Sequence, residues 1–212
     1  MQPIDAIFYI AILIMSVVIH ETSHGFMAEY FGDDTARRAG RLTLNPLKHL
    51  DLFGSIILPV LLYLTAGFAF GWAKPVPYNP NNLRNRKWGT IAVASAGILA
   101  NLFIALLFGL LIRFAPQLGL PAFNPFYIAP FYKITMNIVI INIALALFNL
   151  APLPPLDGSK ILFNLLPKAF YHLGEFLERY SIIFLVIFVV FFSNQLYPAL
   201  IFLFHLLTGL PV

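Results

Sequence analysis

Cysteine is missing from the 212 residues, and charge is scarce: Asp, Glu, Lys and Arg make up 10% of the chain, where soluble domains carry about a quarter. The first absence excludes disulfides and thiolate metal sites, so any strong metal site must be built from His and carboxylate. The second, beside 60% apolar and 16% aromatic residues, excludes an ordinary soluble domain and places the chain in a lipid bilayer. No polar stretch is long enough for a separate soluble domain, and there is no internal repeat, so residues 1–212 read as one integral-membrane domain. Residues 1–19 lack a basic leader and a small-residue cleavage site, so the first apolar segment is expected to stay. The formal charge of +4 does not point to nucleic acid, because the basic residues fall in the gaps between apolar segments rather than on one amphipathic face.

What is present is long apolar runs. Four are long enough to span, near residues 4–30, 89–114, 134–152 and 181–207. A fifth, 52–72, has the length but is interrupted by Gly54, Pro59 and Gly67. The expected fold is therefore an all-α polytopic membrane protein of about five to six membrane segments. Arg37, Arg38, Arg41 and Lys48 precede segment 52–72, and Lys74, Arg84, Arg86 and Lys87 follow it. A full crossing would put these basic groups on opposite sides, against the positive-inside rule; a re-entrant loop keeps both in the cytoplasm. Then 89–114 runs outward, 115–132 faces out, 134–152 returns, and both chain ends face outward. The alternative is a full crossing by 52–72, with residues 152–168 dipping back.

Inside the first span stands His20-Glu21-Thr22-Ser23-His24. On a helix the two histidines lie one turn apart on one face, able to share a zinc ion, with Glu21 beside them to act on water. An unpaired charge at membrane depth costs on the order of 3 kcal/mol or more, so three ionisable residues in five are not there for packing. A zinc hydrolase needs a third protein ligand. Among nine acidic residues, Asp157 stands out: it lies in Asn149-Leu-Ala-Pro-Leu-Pro-Pro-Leu-Asp-Gly, where prolines impose an extended backbone at the membrane edge and Gly158 permits a tight approach. The bland reading makes Asp157 the N-cap of the next helix; with two helical histidines short of a ligand, the metal reading is preferred.

These two motifs resemble those of the site-2 protease family of intramembrane zinc metalloproteases. Leu44-Asn-Pro-Leu-Lys-His-Leu-Asp, Phe70-Gly-Trp-Ala-Lys-Pro-Val-Pro and Ala96-Gly-Ile-Leu-Ala-Asn are similar to connecting motifs of its small bacterial or archaeal members. The resemblance implies His20, His24 and Asp157 as ligands of one Zn2+ per chain, Glu21 as catalytic base, and Asn149 as a contact to the substrate carbonyl. It implies cleavage of peptide bonds in or near transmembrane segments of other membrane proteins, in a bacterial or archaeal cell membrane; the charge pattern places the site toward the cytoplasm. Leu52 departs from the family's expected proline, and no PDZ or CBS domain is expected. A metal-binding or metal-transport membrane protein is the alternative, and Glu21 argues against it, since a carrier needs no non-ligating carboxylate there. The other polar groups have plainer readings. His49 is expected in a loop or interface, His172 and His205 at membrane interfaces, and Gly97 with Asn101 in close helix packing with an interhelical hydrogen bond.

Overall fold

The computed structural model describes residues 3–51, 54, 57, 61, 73–119 and 125–210; most of segment 52–72, on which the choice between re-entry and spanning falls, lies outside them. The described secondary structure is helical throughout. Three helices are long and apolar enough to cross a membrane: α1 (Pro3–Tyr30), α3 (Arg86–Phe114) and α4 (Pro125–Leu150). Between α1 and α3 lies the single-turn α2 (Thr35–Arg38). After α4 come α5 (Asp157–Leu165), α6 (Tyr171–Arg179), α7 (Ser181–Ile187) and α8 (Tyr197–Thr208).

Two spans differ from the sequence expectation. Helix α4 starts at Pro125 rather than near 134, carrying Pro130 inside it. A proline six residues into a helix removes one early main-chain bond, which a membrane helix tolerates. The segment 181–207 is not one straight rod: its two halves, Ser181–Phe192 and Asn194–Thr208, meet at 57°, with a π-helical turn at Phe188–Phe192 and a 3-10 turn at Ser193–Leu196 between α7 and α8.

Side-chain pairings set the directions of the three spans. His24 meets Val93, His20 meets Asn101, and Phe31 lies against Gly89, so α1 and α3 are antiparallel. Lys133 pairs with Asp5 at 2.6 Å and Asn142 bonds Ser16 at 2.9 Å, so α1 and α4 run in the same sense. One apolar core, Ala105, Ile112, Val139, Ile143 and Phe204, joins α3, α4 and α8. Large side chains such as Ile7, Leu99, Phe103, Ile182 and Phe202 stay exposed, as lipid-facing surface requires. The C-terminal ends of α1 and α4 and the N-terminal end of α3 therefore share one end of the bundle.

That end is capped by a polar clasp. Helix α1 stops where Gly32 takes φ +106, a left-handed turn that suits glycine. The following residue, Asp33, is fully buried and its carboxylate accepts from Thr35 N (3.2 Å), Thr35 Oγ1 (2.5 Å), Asn79 N (2.6 Å) and Asn82 Nδ2 (2.9 Å). Burial alone would push this carboxyl up; the bonds from Thr35, Asn79 and Asn82 hold it below the usual range. A folded pKa below the unfolded one gives stability that is present above the unfolded value and is lost as pH falls through the folded value. Asp33→Asn should therefore cost about 2 kcal/mol near neutral pH. Thermal unfolding in detergent should show the gap from wild type narrowing below about pH 4; a pH-independent gap would contradict the charged clasp.

Candidate metal centre

The site begins with the helical repeat. His20 and His24 are one turn apart on α1, 5% and 8% exposed, with ring centroids 4.6 Å apart and planes perpendicular. Two devices on α3 hold them. Gly97 faces His20 so closely that a Cβ there would fall 2.6–2.7 Å from three ring atoms, and the missing side chain is the space the imidazole occupies. One turn away, His24 Nδ1 lies 2.7 Å from the Val93 carbonyl oxygen. On the far side of α1, Gly25 admits Leu42 and Val76 against the helix, within 2.5 and 2.9 Å of an added Cβ.

Asp157 arrives from the opposite direction in the chain. It is the first residue of α5, after the N-cap Leu156. The N-cap reading is thus replaced: the carboxylate turns inward and places Oδ2 3.1 Å from both His20 Nε2 and His24 Nε2. Gly158 makes this possible, because a Cβ there would collide with the carbonyls of Leu150 and Ala151. Lys160, one turn on, sets Nζ 3.2 Å from Asp157 Oδ1.

The donor chemistry of this cluster calls for a cation. A carbonyl only accepts, so His24 must carry a proton on Nδ1, and the neutral ring then presents a lone pair at Nε2. Asn101 Oδ1 lies 2.6 Å from His20 Nδ1 and ties off that ring in the same way. Two lone pairs and a carboxylate oxygen converge in a buried space, one ligand atom from each residue lying within 4.8 Å of the others. With both rings neutral, those lone pairs and the carboxylate repel one another in a low-dielectric interior, and a cation between them turns the repulsion into attraction. Ligand atoms of a tetrahedral zinc site lie roughly 3.3 Å apart, given bonds of about 2.0–2.2 Å, and the two contacts of 3.1 Å fit that spacing.

The other expected residues are placed differently. Glu21 sits outside the three-residue cluster, half-buried, and its Oε2 accepts the Val76 main-chain N–H at 2.9 Å. The extended stretch carrying Val76 is itself held by the buried Arg41, whose Nη2 donates to the Lys74 and Pro75 carbonyls at 2.6 and 3.3 Å. Asn149 is not brought into contact with the cluster: its Nδ2 donates to Leu145 O at 2.9 Å within α4. His49 is buried rather than interfacial, bonding Thr43 O through Nε2, while its main-chain carbonyl receives Lys74 N. Val76, Val93 and Arg41 escape sequence reasoning because main-chain contacts leave no side-chain signature. Gly97 and Asn101 were visible as a small-residue helix face, but their partner, the His20 ring, was not.

Two imidazoles one helical turn apart and an inward carboxylate are a donor set that could hold a metal ion. The chain belongs to peptidase family M50, whose model matches residues 124–192. It is similar to YwhC of Bacillus subtilis (strain 168), a protein named as a zinc metalloprotease, with 39% identity over 191 residues, 88% of this chain and 83% of that one. It is also similar to Rip2 of Mycolicibacterium smegmatis, similarly named, with 34% identity over 154 residues, 72% of this chain and 54% of that one. No solved structure matches it. Zn2+ is the cofactor that family membership implies.

The fit of Gly97 to the imidazole gives a direct check. Gly97→Ala should displace the His20 ring and weaken zinc binding by about tenfold or more, with the helical circular dichroism unchanged. Metal analysis after equilibration against a graded chelator reads this, and wild-type affinity would refute the packing argument.

Proposed function

We propose that His20, His24 and Asp157 hold the Zn2+ of an intramembrane zinc metalloprotease, with Glu21 as its proton-transfer group. The observation that carries this reading is the convergence of three lone-pair donors on one buried point while Glu21 stands beside it without joining. A carrier site has no use for that fourth group. Zinc supplies Lewis-acid activation of water and of the scissile carbonyl.

The chain's own residues do the rest. The Val76 N–H occupies Glu21 Oε2 and fixes the carboxylate's orientation, leaving its other oxygen to take the proton of the attacking water and pass it to the leaving amine. Asn149, in the last turn of α4, leaves its bond to Leu145 and donates its amide to the substrate carbonyl, a contact whose loss typically costs about 2.7–4 kcal/mol. Lys160 neutralises the carboxylate oxygen of Asp157 that faces away from the histidines. The bilayer and a transmembrane protein substrate are the partners of this chemistry, and the whole chain acts as one integral-membrane peptidase domain of five to six membrane segments.

The site opens toward the cytoplasm. Support comes from charge: Arg37, Arg38, Arg41, Lys48, Lys74, Arg84, Arg86, Lys87 and Lys160 lie at the end of the bundle that carries the cluster, while Arg113 and Lys133 lie toward the other. The positive-inside rule then assigns the former to the cytoplasm.

Glu21→Gln should leave zinc stoichiometry at wild-type level and reduce cleavage of a single-span reporter by about 10²-fold or more. Cleavage that persists in this variant would overturn the role of Glu21. Chelator should abolish wild-type cleavage, and added zinc should restore it.

A further inference from the structure

Behind His20 lies a second layer of polar groups in the middle of the bundle, where lipid-like surroundings make unpaired donors costly. Asn101 on α3 and Asn142 on α4 are fully buried, and Ser16 on α1 is 4% exposed. Asn142 Nδ2 lies 2.8 Å from Ile138 O and 2.9 Å from Ser16 Oγ. Asn142 Oδ1 faces Asn101 Nδ2 at 2.8 Å, and that nitrogen also lies 3.4 Å from Ser16 O. Asn101 Oδ1 then meets His20 Nδ1 at 2.6 Å.

The direction of every bond in this chain follows from its far end. The Ile138 carbonyl can only accept, so the nitrogen of Asn142 must point to it and its oxygen to Asn101. The Asn101 nitrogen is thereby drawn toward Asn142 and the Ser16 carbonyl, and only its oxygen is left for the histidine. That oxygen accepts, so His20 must keep its proton on Nδ1 and present Nε2 bare to the metal cluster. A reversed Asn101 amide would offer N–H to Nδ1 and move the ring proton to Nε2, where it blocks a metal ligand. His24 needs no such relay, since a main-chain carbonyl meets it directly.

We propose that Asn142, with Ser16, is a positioning residue for the zinc site: acting through Asn101, it sets the tautomer of His20 and so the readiness of Nε2 to bind metal. The inference rests on His20 being a zinc ligand. It assigns a metal-binding role to a residue in the middle of α4, two turns before Asn149.

The test uses the full-length protein in detergent, in the Glu21→Gln background so that proteolysis plays no part, and reads zinc alone. Asn142→Leu should weaken zinc binding about tenfold, toward the lower end of the range for outer-shell partners, by competition with a chelator. On zinc-loaded protein with 15N-labelled histidine, the Nδ1–H signal of His20 should be lost or shifted while that of His24 persists. Adding Asn101→Asp to Asn142→Leu should restore affinity, because a carboxylate accepts through either oxygen and needs no relay to orient it. Wild-type affinity with an unchanged His20 signal in Asn142→Leu would overturn the proposal. So would loss of both histidine signals without rescue, which marks general disruption of the bundle. Absence of zinc binding in the Glu21→Gln parent would reject the metal reading itself, and this inference with it.

Discussion

Everything near the site depends on one constraint: two imidazoles and a carboxylate, the proposed zinc ligands, must sit in an apolar bundle with the atoms that face one another free for a metal and all their other polar atoms satisfied. Outside a membrane, water could meet the second nitrogen of each ring. Here protein must do it. The Val93 carbonyl serves His24 and the Asn101 amide serves His20, while Lys160 serves the outer oxygen of Asp157. Removing a partner leaves a buried polar atom unpaired, and it also frees the ring to choose the tautomer that cannot bind metal.

Satisfying that constraint dictates the packing. Helix α3 must approach α1 closely enough for main-chain and short side-chain groups to reach the rings, and Gly97 provides the clearance. Helix α5 must bring Asp157 back toward α1, and Gly158 lets its first turn lie on the carbonyls that end α4. Two glycines on different helices thus serve the same end: each removes a Cβ that would hold a member of the His20, His24 and Asp157 cluster away from the others. The basic loops at this end are joined by the side chains of Asp33 and Arg41 and by the main-chain carbonyl of His49, which tie the stretch 33–51 to the stretch 73–82. Through Val76 the same scaffold reaches Glu21, so the carboxylate proposed to handle protons is oriented by a loop rather than by the helix that bears it.

Much of this was legible in the chain. The spans near 4–30 and 89–114 are α1 and α3 to within a few residues, because runs of that length and apolarity have no other stable state in lipid. The histidine pair was legible because helical spacing alone aligns two side chains. Asp157 was legible by elimination among few acidic residues, helped by prolines that stop α4. The early start of α4 was hidden by Pro130 and a run of turn formers before it, and the break in the last segment by continuous apolarity, which records burial in lipid but not direction. His49 was expected in a loop or interface and lies in a loop, but nothing local shows that Lys74 and Thr43 close around it and bury it.

By itself, then, the sequence determined the solvent in which this protein works, the pair of histidines that share one helix face, and the chemistry those residue types permit, since each follows from composition or from short-range periodicity. Only the tertiary structure decided that a carboxylate 133 residues beyond His24 meets both rings, and that Asn149 rests on its own helix. It also decided which ring nitrogens are bare. Those outcomes depend on partners from separate helices meeting at one depth, on hydrogen-bond directions passed from one carbonyl through two amides, and on clearances set by glycines; a linear pattern shows that such groups exist but not which of them face each other.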